Sequence, residues 1–153
     1  MGERAVDIDL DATSTSVRVS STGEFARMIA SFRGRHMVVD APAYAGGPGE
    51  AAIPPELLLS AVGSCALGMF DLICSRDNIP MRECTVDIRS DFTSQIQKIH
   101  GVTVYDKIAI KFIFVGISLD QARDLVNIYR ATCPIYGSIK VASREVNIEF
   151  EIK

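Results

Sequence analysis

Apolar and polar residues alternate along residues 81–92 (MRECTVDIRSDF), with Cys84, Val86 and Ile88 set against Glu83, Thr85, Asp87 and Arg89. A period of two is the signature of a half-buried strand, and it places Cys84 on the inward face. The run 101–116 (GVTVYDKIAIKFIFVG) repeats the pattern with Ile108, Ile110, Phe112 and Phe114 on one side, so the two runs predict a hairpin. Upstream, 16–21 (SVRVSS), 24–32 (EFARMIASF) and 35–42 (RHMVVDAP) read as strands, and 146–153 (VNIEFEIK) closes the chain as another.

Two segments change period. Pro54-Pro55-Glu56 opens a long helix at about 55–77, since proline is tolerated in a first turn and a carboxylate there suits the helix dipole. This helix is apolar nearly all round through 57–73, which predicts a central rather than a surface position. Gly63 and Gly68 would weaken an exposed helix, so they predict close approach of another backbone. A second helix is predicted over 118–133 (SLDQARDLVNIYRATC), where Ser118 and Gln121 fit a capping box. Leu119, Ala122, Leu125 or Val126, Tyr129 and Cys133 form its apolar stripe, and Pro134 stops it. The Gly- and Pro-rich 43–55 (AYAGGPGEAAIPP) is a connector, because its glycines lack the phosphate-binding pattern. Strand runs mixed with two isolated helices predict an α+β fold, helices on one face of a mostly antiparallel sheet.

A chain of 153 residues fits a single domain. Its net charge of −3 and the absence of Lys/Arg clusters speak against a nucleic-acid or anionic-membrane partner. The N-terminus has no signal-type apolar core, and no continuous apolar run reaches membrane-spanning length; a cytoplasmic location with reduced thiols is the expectation. Four cysteines and two histidines, without a Cys-x-x-Cys pair, give no metal-ligand pattern. Neither a metal nor a cofactor is expected. His36 and His100 read as solvated surface residues.

The thiols are not equivalent. Cys84 packs among β-branched neighbours, and Cys74 lies nine residues beyond Cys65, roughly opposite it on a helix. Both read as packing residues. Cys65, inside LLLSAVGSCALGMF, and Cys133, at a helix end, each lie on an apolar helix face. Packing of the two helices would bring both sulfurs into one buried cleft.

The segment 54–70 (PPELLLSAVGSCALGMF) resembles the Pro-x-Glu-Leu-Leu-Leu…Gly-x-Cys helix of the OsmC/Ohr superfamily, the osmotically induced and organic hydroperoxide resistance proteins. CPIYGSI (133–139) is similar to its Cys-Pro signature, and HMVVDAPAYAGGPGE (36–50) to its strand and Gly-rich loop. The likeness runs from about residue 17 to the C-terminus and leaves 1–15 outside as an extension. It implies an OsmC-like fold, with an antiparallel sheet, two central helices and an intertwined homodimer. It also implies a thiol-dependent peroxidase acting on organic hydroperoxides: Cys65 peroxidatic, Cys133 resolving, and the disulfide re-reduced by an external dithiol. Trapping a sulfenate before it oxidises further calls for such a nearby second thiol.

Burial in apolar surroundings raises a thiol pKa, so a cation is expected to oppose it. In the hydroperoxide branch this falls to an arginine from the N-terminal strands and a glutamate ten residues before the cysteine. Here that position is Pro55, while Glu56 stands at nine, roughly opposite Cys65 and ~13 Å along the axis. This spacing resembles the OsmC-like branch instead. Arg27 is the candidate arginine, with Arg18 and Arg33 as rivals; Glu56 also reads as a partner of its own helix dipole. The alternative function is a non-catalytic dimer that binds a small hydrophobe, its cysteines serving only as lining.

Overall fold

A computed structural model of the chain describes residues 15–91, 98–99 and 102–153. Backbone packing divides the chain into two compact units, one up to Leu57 and one from Leu58 to Lys153. His100 and most of the N-terminal extension lie outside the described residues.

The first unit is a three-stranded antiparallel sheet in the order β1 (Arg18–Ser21), β2 (Arg27–Phe32), β3 (Arg35–Asp40). Arg33 and Gly34, with φ of 49° and 73°, make the two-residue turn between β2 and β3. Positive φ at both positions gives the turn the twist of its strands. Arg33 is thereby a turn residue, and Arg18 lies on an exposed strand paired with Ser31. His36 is exposed and within 2.9 Å of the Ser31 hydroxyl, in line with its surface reading. Beyond β3 the chain makes a 3₁₀ turn, Ala43–Ala45, ended by Gly46 at φ 82°. A Cβ at Gly47 would collide with the Ala41 carbonyl oxygen. These glycines therefore permit a tight connector.

Helix α1 (Pro54–Asp77) starts at the predicted prolines and runs on into the second unit. There follow β4 (Glu83–Asp91), the short pair β5 (Lys98–Ile99) and β6 (Val102–Thr103), β7 (Lys107–Val115), α2 (Leu119–Thr132), α3 (Pro134–Ala142) and β8 (Glu145–Ile152). The sheet order is β4-β7-β8. The predicted hairpin is present as the antiparallel β4–β7 ladder, Glu83 opposite Val115 through Asp91 opposite Lys107.

The structure differs from the reading in three places. The run 101–116 is two strands, broken where the Tyr105 and Asp106 carbonyls accept from Arg144 and Glu145. A third helix, α3, follows Cys133. And β8 lies parallel to β7, so the sheet is mixed rather than wholly antiparallel. The last two belong together, because a parallel neighbour needs a long crossover and α2 with α3 supplies it. The α+β class stands.

One apolar core fills the second unit. Ile108, Ile110, Phe112 and Phe114 of β7 face Val62, Ala66 and Phe70 of α1 and Leu125, Val126 and Tyr129 of α2. Phe70 meets Phe112 edge-on at 5.1 Å and Tyr129 at 6.0 Å. Each such side chain contributes about 1.5–3 kcal/mol by leaving water. Gly63 allows α1 to seat on β4, since a Cβ there would stand 3.0 Å from Val86 Cγ1. The close neighbour is a side chain, not the expected backbone, and Gly68 has nothing within 4 Å. Counting uninterrupted apolar residues had hidden one property of α1. By length and composition it could cross a membrane, although its Val62–Phe70 face is packed as a core helix's would be.

Candidate active site: a dithiol at a helix junction

Cys65 stands in the middle of α1, half-buried, with its backbone inside the helix. Cys133 is 68 residues further along and only 3% exposed. The predicted packing of the two helices brings the sulfurs to 3.2 Å, within S–H···S distance, and both cysteines are free. The capping box of Ser118 and Gln121 fixes the start of α2, with both reciprocal hydrogen bonds formed. The end of α2 is therefore set in register with the core.

Cys133 occupies a double position. It is the C-cap of α2, its N–H donating to the Tyr129 carbonyl, and the N-cap of α3. As N-cap its sulfur accepts the Tyr136 N–H at 3.4 Å, and Pro134 takes the first helical position. The sequence carried this signal, a polar short side chain directly before proline. Reading Pro134 only as a stop concealed the helix that it begins.

The surroundings are apolar and aromatic. Burial, then the neighbouring Cys133 sulfur, pushes the Cys65 thiol up to about 11. The fully buried Tyr129 phenol is also raised, by burial and by the two thiols, so its hydroxyl stays protonated. That hydroxyl is buried without a hydrogen-bond partner among the described residues. It is the site feature that the sequence reading missed, since a helical stripe gives Tyr129 only as a core residue.

Cys74 and Cys84 keep the packing roles expected of them. Cys74 is buried with its sulfur 4.0 Å from Met81 Sδ, and Cys84 lies on the inner side of β4 with a thiol pushed to about 12, mainly by burial. Glu56 accepts the Ile53 N–H at 3.0 Å, bracing the first turn of α1. Arg27 grips the buried Asp40 through Nε and Nη2 at 2.8 and 2.9 Å. Its guanidinium also reaches Glu24 and Glu50 at 3.0 and 2.8 Å. Three carboxylates thus hold this cation.

Among the described residues no three His, Cys, Asp or Glu side chains gather as a metal site would require. A hollow of about 240 Å³ opens on the outer face of the second sheet, among Asp87, Arg89, Ala109, Lys111, Asn147 and Glu149. It carries no thiol.

The profile of the OsmC-like protein family matches residues 47–149, spanning both cysteines. An OsmC-like protein from Mycoplasma pneumoniae superposes with TM-score 0.76 at 14% identity, over 91% of this chain and 96% of that one. An organic hydroperoxide resistance protein OsmC from Legionella pneumophila gives 0.69 at 16%, over 90% and 96%. An organic hydroperoxide resistance protein from Elizabethkingia anophelis gives 0.72 at 18%, over 92% and 99%. At these identities the likeness is one of fold. No curated protein sequence matches the chain. With the family profile covering most of its length, the chain belongs to the OsmC-like protein family.

Proposed function

We propose that the protein is a thiol-dependent peroxidase that reduces organic hydroperoxides, with Cys65 as the peroxidatic and Cys133 as the resolving thiol. The observation that carries this reading is the 3.2 Å sulfur–sulfur approach of two free cysteines. A disulfide needs about 2.05 Å, so a closure of roughly 1 Å joins them. The Cys65 thiolate attacks one peroxide oxygen, the O–O bond breaks, and the alkoxide leaves with a proton as alcohol. Cys133 then displaces the sulfenic oxygen as water and forms the disulfide. An external dithiol returns both sulfurs to thiols. The apolar, aromatic walls favour an organic over an inorganic peroxide, in keeping with the names borne by two of the similar structures. Arg27 and Glu56 are the candidates for opposing the burial that raises the Cys65 pKa. We place the protein in the cytoplasm, where thiols stay reduced, and as a homodimer.

A second reading, a non-catalytic dimer holding a small hydrophobe, is favoured by one observation, the raised Cys65 pKa. Disulfide mapping separates the two. Reduced protein treated with one equivalent of an alkyl hydroperoxide is expected to yield a 65–133 bridge, absent in Cys65→Ser. Thiols left intact would favour the binder.

A further inference from the structure

The sulfurs of Cys65 and Cys133 hold each other at 3.2 Å, and Cys133 also accepts the Tyr136 N–H. The Tyr129 hydroxyl beside them is differently placed. Its residue is wholly buried, and among the described residues the hydroxyl has no hydrogen-bond partner. An unpaired buried hydroxyl is a standing cost in stability, so it calls for an acceptor that the reduced site does not supply. Tyr129 stands one turn before Cys133, on the same face of α2. Its ring is fixed from three elements, by Phe70 of α1 at 6.0 Å, Phe112 of β7 at 5.7 Å and Tyr136 of α3 at 5.1 Å. Both sulfurs bear on the phenol electrostatically, and together with burial they keep its proton in place. It is a neutral donor, held rigidly and unused.

We infer that the Tyr129 hydroxyl, buried without a partner in the reduced site, is the hydrogen-bond donor to the oxygen that Cys65 takes from the hydroperoxide. The inference rests on the peroxidase reading for its chemistry. Of the reacting atoms, that oxygen is the one whose place the fold fixes, because it ends within a bond of the Cys65 sulfur. The alkyl group and the leaving oxygen can lie toward the open side of the half-buried Cys65. The Cys65 thiolate bonds to one peroxide oxygen as the O–O bond breaks, and the alkoxide leaves with a proton as alcohol. The oxygen on Cys65 accepts from Tyr129 until Cys133 bonds to the Cys65 sulfur and the oxygen departs as water. Two thiols and one hydroperoxide give one disulfide, one alcohol and one water. Both electrons come from the sulfurs, and Tyr129 keeps its proton throughout. A donor already in position needs no reorganisation as the bond breaks, and it is worth most where water is excluded. It also bears on substrate class: one donor serves the single polar end of the peroxide, and the apolar walls take the tail.

The test uses the full-length chain and an alkyl hydroperoxide. Cys133→Ser keeps a good N-cap for α3 and, lacking the resolving thiol, stops at the Cys65 sulfenic acid. Ultraviolet resonance Raman reads the hydrogen bonding of tyrosines, and this chain has four of them and no tryptophan to overlap. Oxidation of Cys133→Ser by one equivalent is expected to turn one tyrosine into a donor, a change absent in Cys133→Ser/Tyr129→Phe. Identical tyrosine spectra before and after oxidation overturn the inference. In a single turnover with both cysteines present, Tyr129→Phe should oxidise Cys65 at least tenfold more slowly than wild type. Under excess peroxide it should also carry several-fold more Cys65 sulfinic acid by peptide mass spectrometry. Phenylalanine keeps the ring and its packing, so a purely structural role would move neither readout, and a wild-type rate in Tyr129→Phe overturns the inference. That result, with the 65–133 bridge still forming, leaves the peroxidase reading standing. A wild-type protein that forms neither sulfenic acid nor bridge removes both.

Discussion

At the scale of single residues, the most telling atom is the Tyr129 hydroxyl. Its ring is wholly buried among Phe70, Phe112 and Tyr136, and the oxygen has no partner among the described residues. A buried hydroxyl without a hydrogen bond costs about 1–3 kcal/mol. Tyr129→Phe keeps the ring and removes that cost, so denaturant unfolding should show stability unchanged or raised by about 1 kcal/mol. A loss of 1 kcal/mol or more would mean the hydroxyl has a partner. The site was legible to the same depth as its side chains. Periodicity put Cys65 and Cys133 on apolar helix faces, the resemblance of their two segments singled them out, and the structure brings their sulfurs to 3.2 Å. Tyr129 did not stand out, because periodicity reports which face a residue occupies and not whether its polar tip finds a partner.

At the scale of elements, one buried carboxylate organises the first unit. Asp40 ends β3, and besides Arg27 its Oδ2 accepts the Glu50 and Ala51 N–H groups at 3.0 and 2.9 Å. Arg27 opposite it in register opens β2, so this side chain binds two strands and the far end of the Gly-rich connector. The Arg27 guanidinium, helped by those two backbone donors, holds the Asp40 carboxyl well below the usual carboxylate range. A folded-state pKa below the unfolded value gives stability that is present above about pH 4 and lost as the pH falls toward the folded value. Asp40→Asn should therefore melt lower than wild type near neutrality, and the gap between their melting temperatures should narrow below about pH 4. A constant gap would mean that the carboxylate charge contributes nothing. Sequence patterning located β2, β3 and both long helices because each has a clear period and marked ends. It could not reveal that β8 runs parallel to β7, since strand direction depends on how the chain returns between them, and α3 was hidden behind the proline that ended α2.

At the scale of the molecule, α1 poses a mismatch. Its Val62, Ala66, Phe70 and Cys74 face is spent on the core, yet Leu58 and Leu72 remain 37% and 74% exposed. Ala61 and Gly68 lie exposed between them, at successive spacings of three, seven and four that keep all four residues on one side. Gly68 meets nothing within 4 Å, which leaves room for a second helix to come close. An apolar helix side of this kind is costly to leave in water and marks an interaction surface. A second copy of the chain, the homodimer proposed above, would cover it and would give Gly68, which meets nothing within 4 Å among the described residues, a reason to be there. Sedimentation equilibrium should then give twice the chain mass of 16.7 kDa. Leu72→Glu, placing charge on the exposed stripe but outside the core cluster, should shift the protein toward the single-chain mass while leaving its circular dichroism unchanged. A wild-type protein that sediments as one chain at micromolar concentration would refute the second copy and leave the stripe open to a different partner.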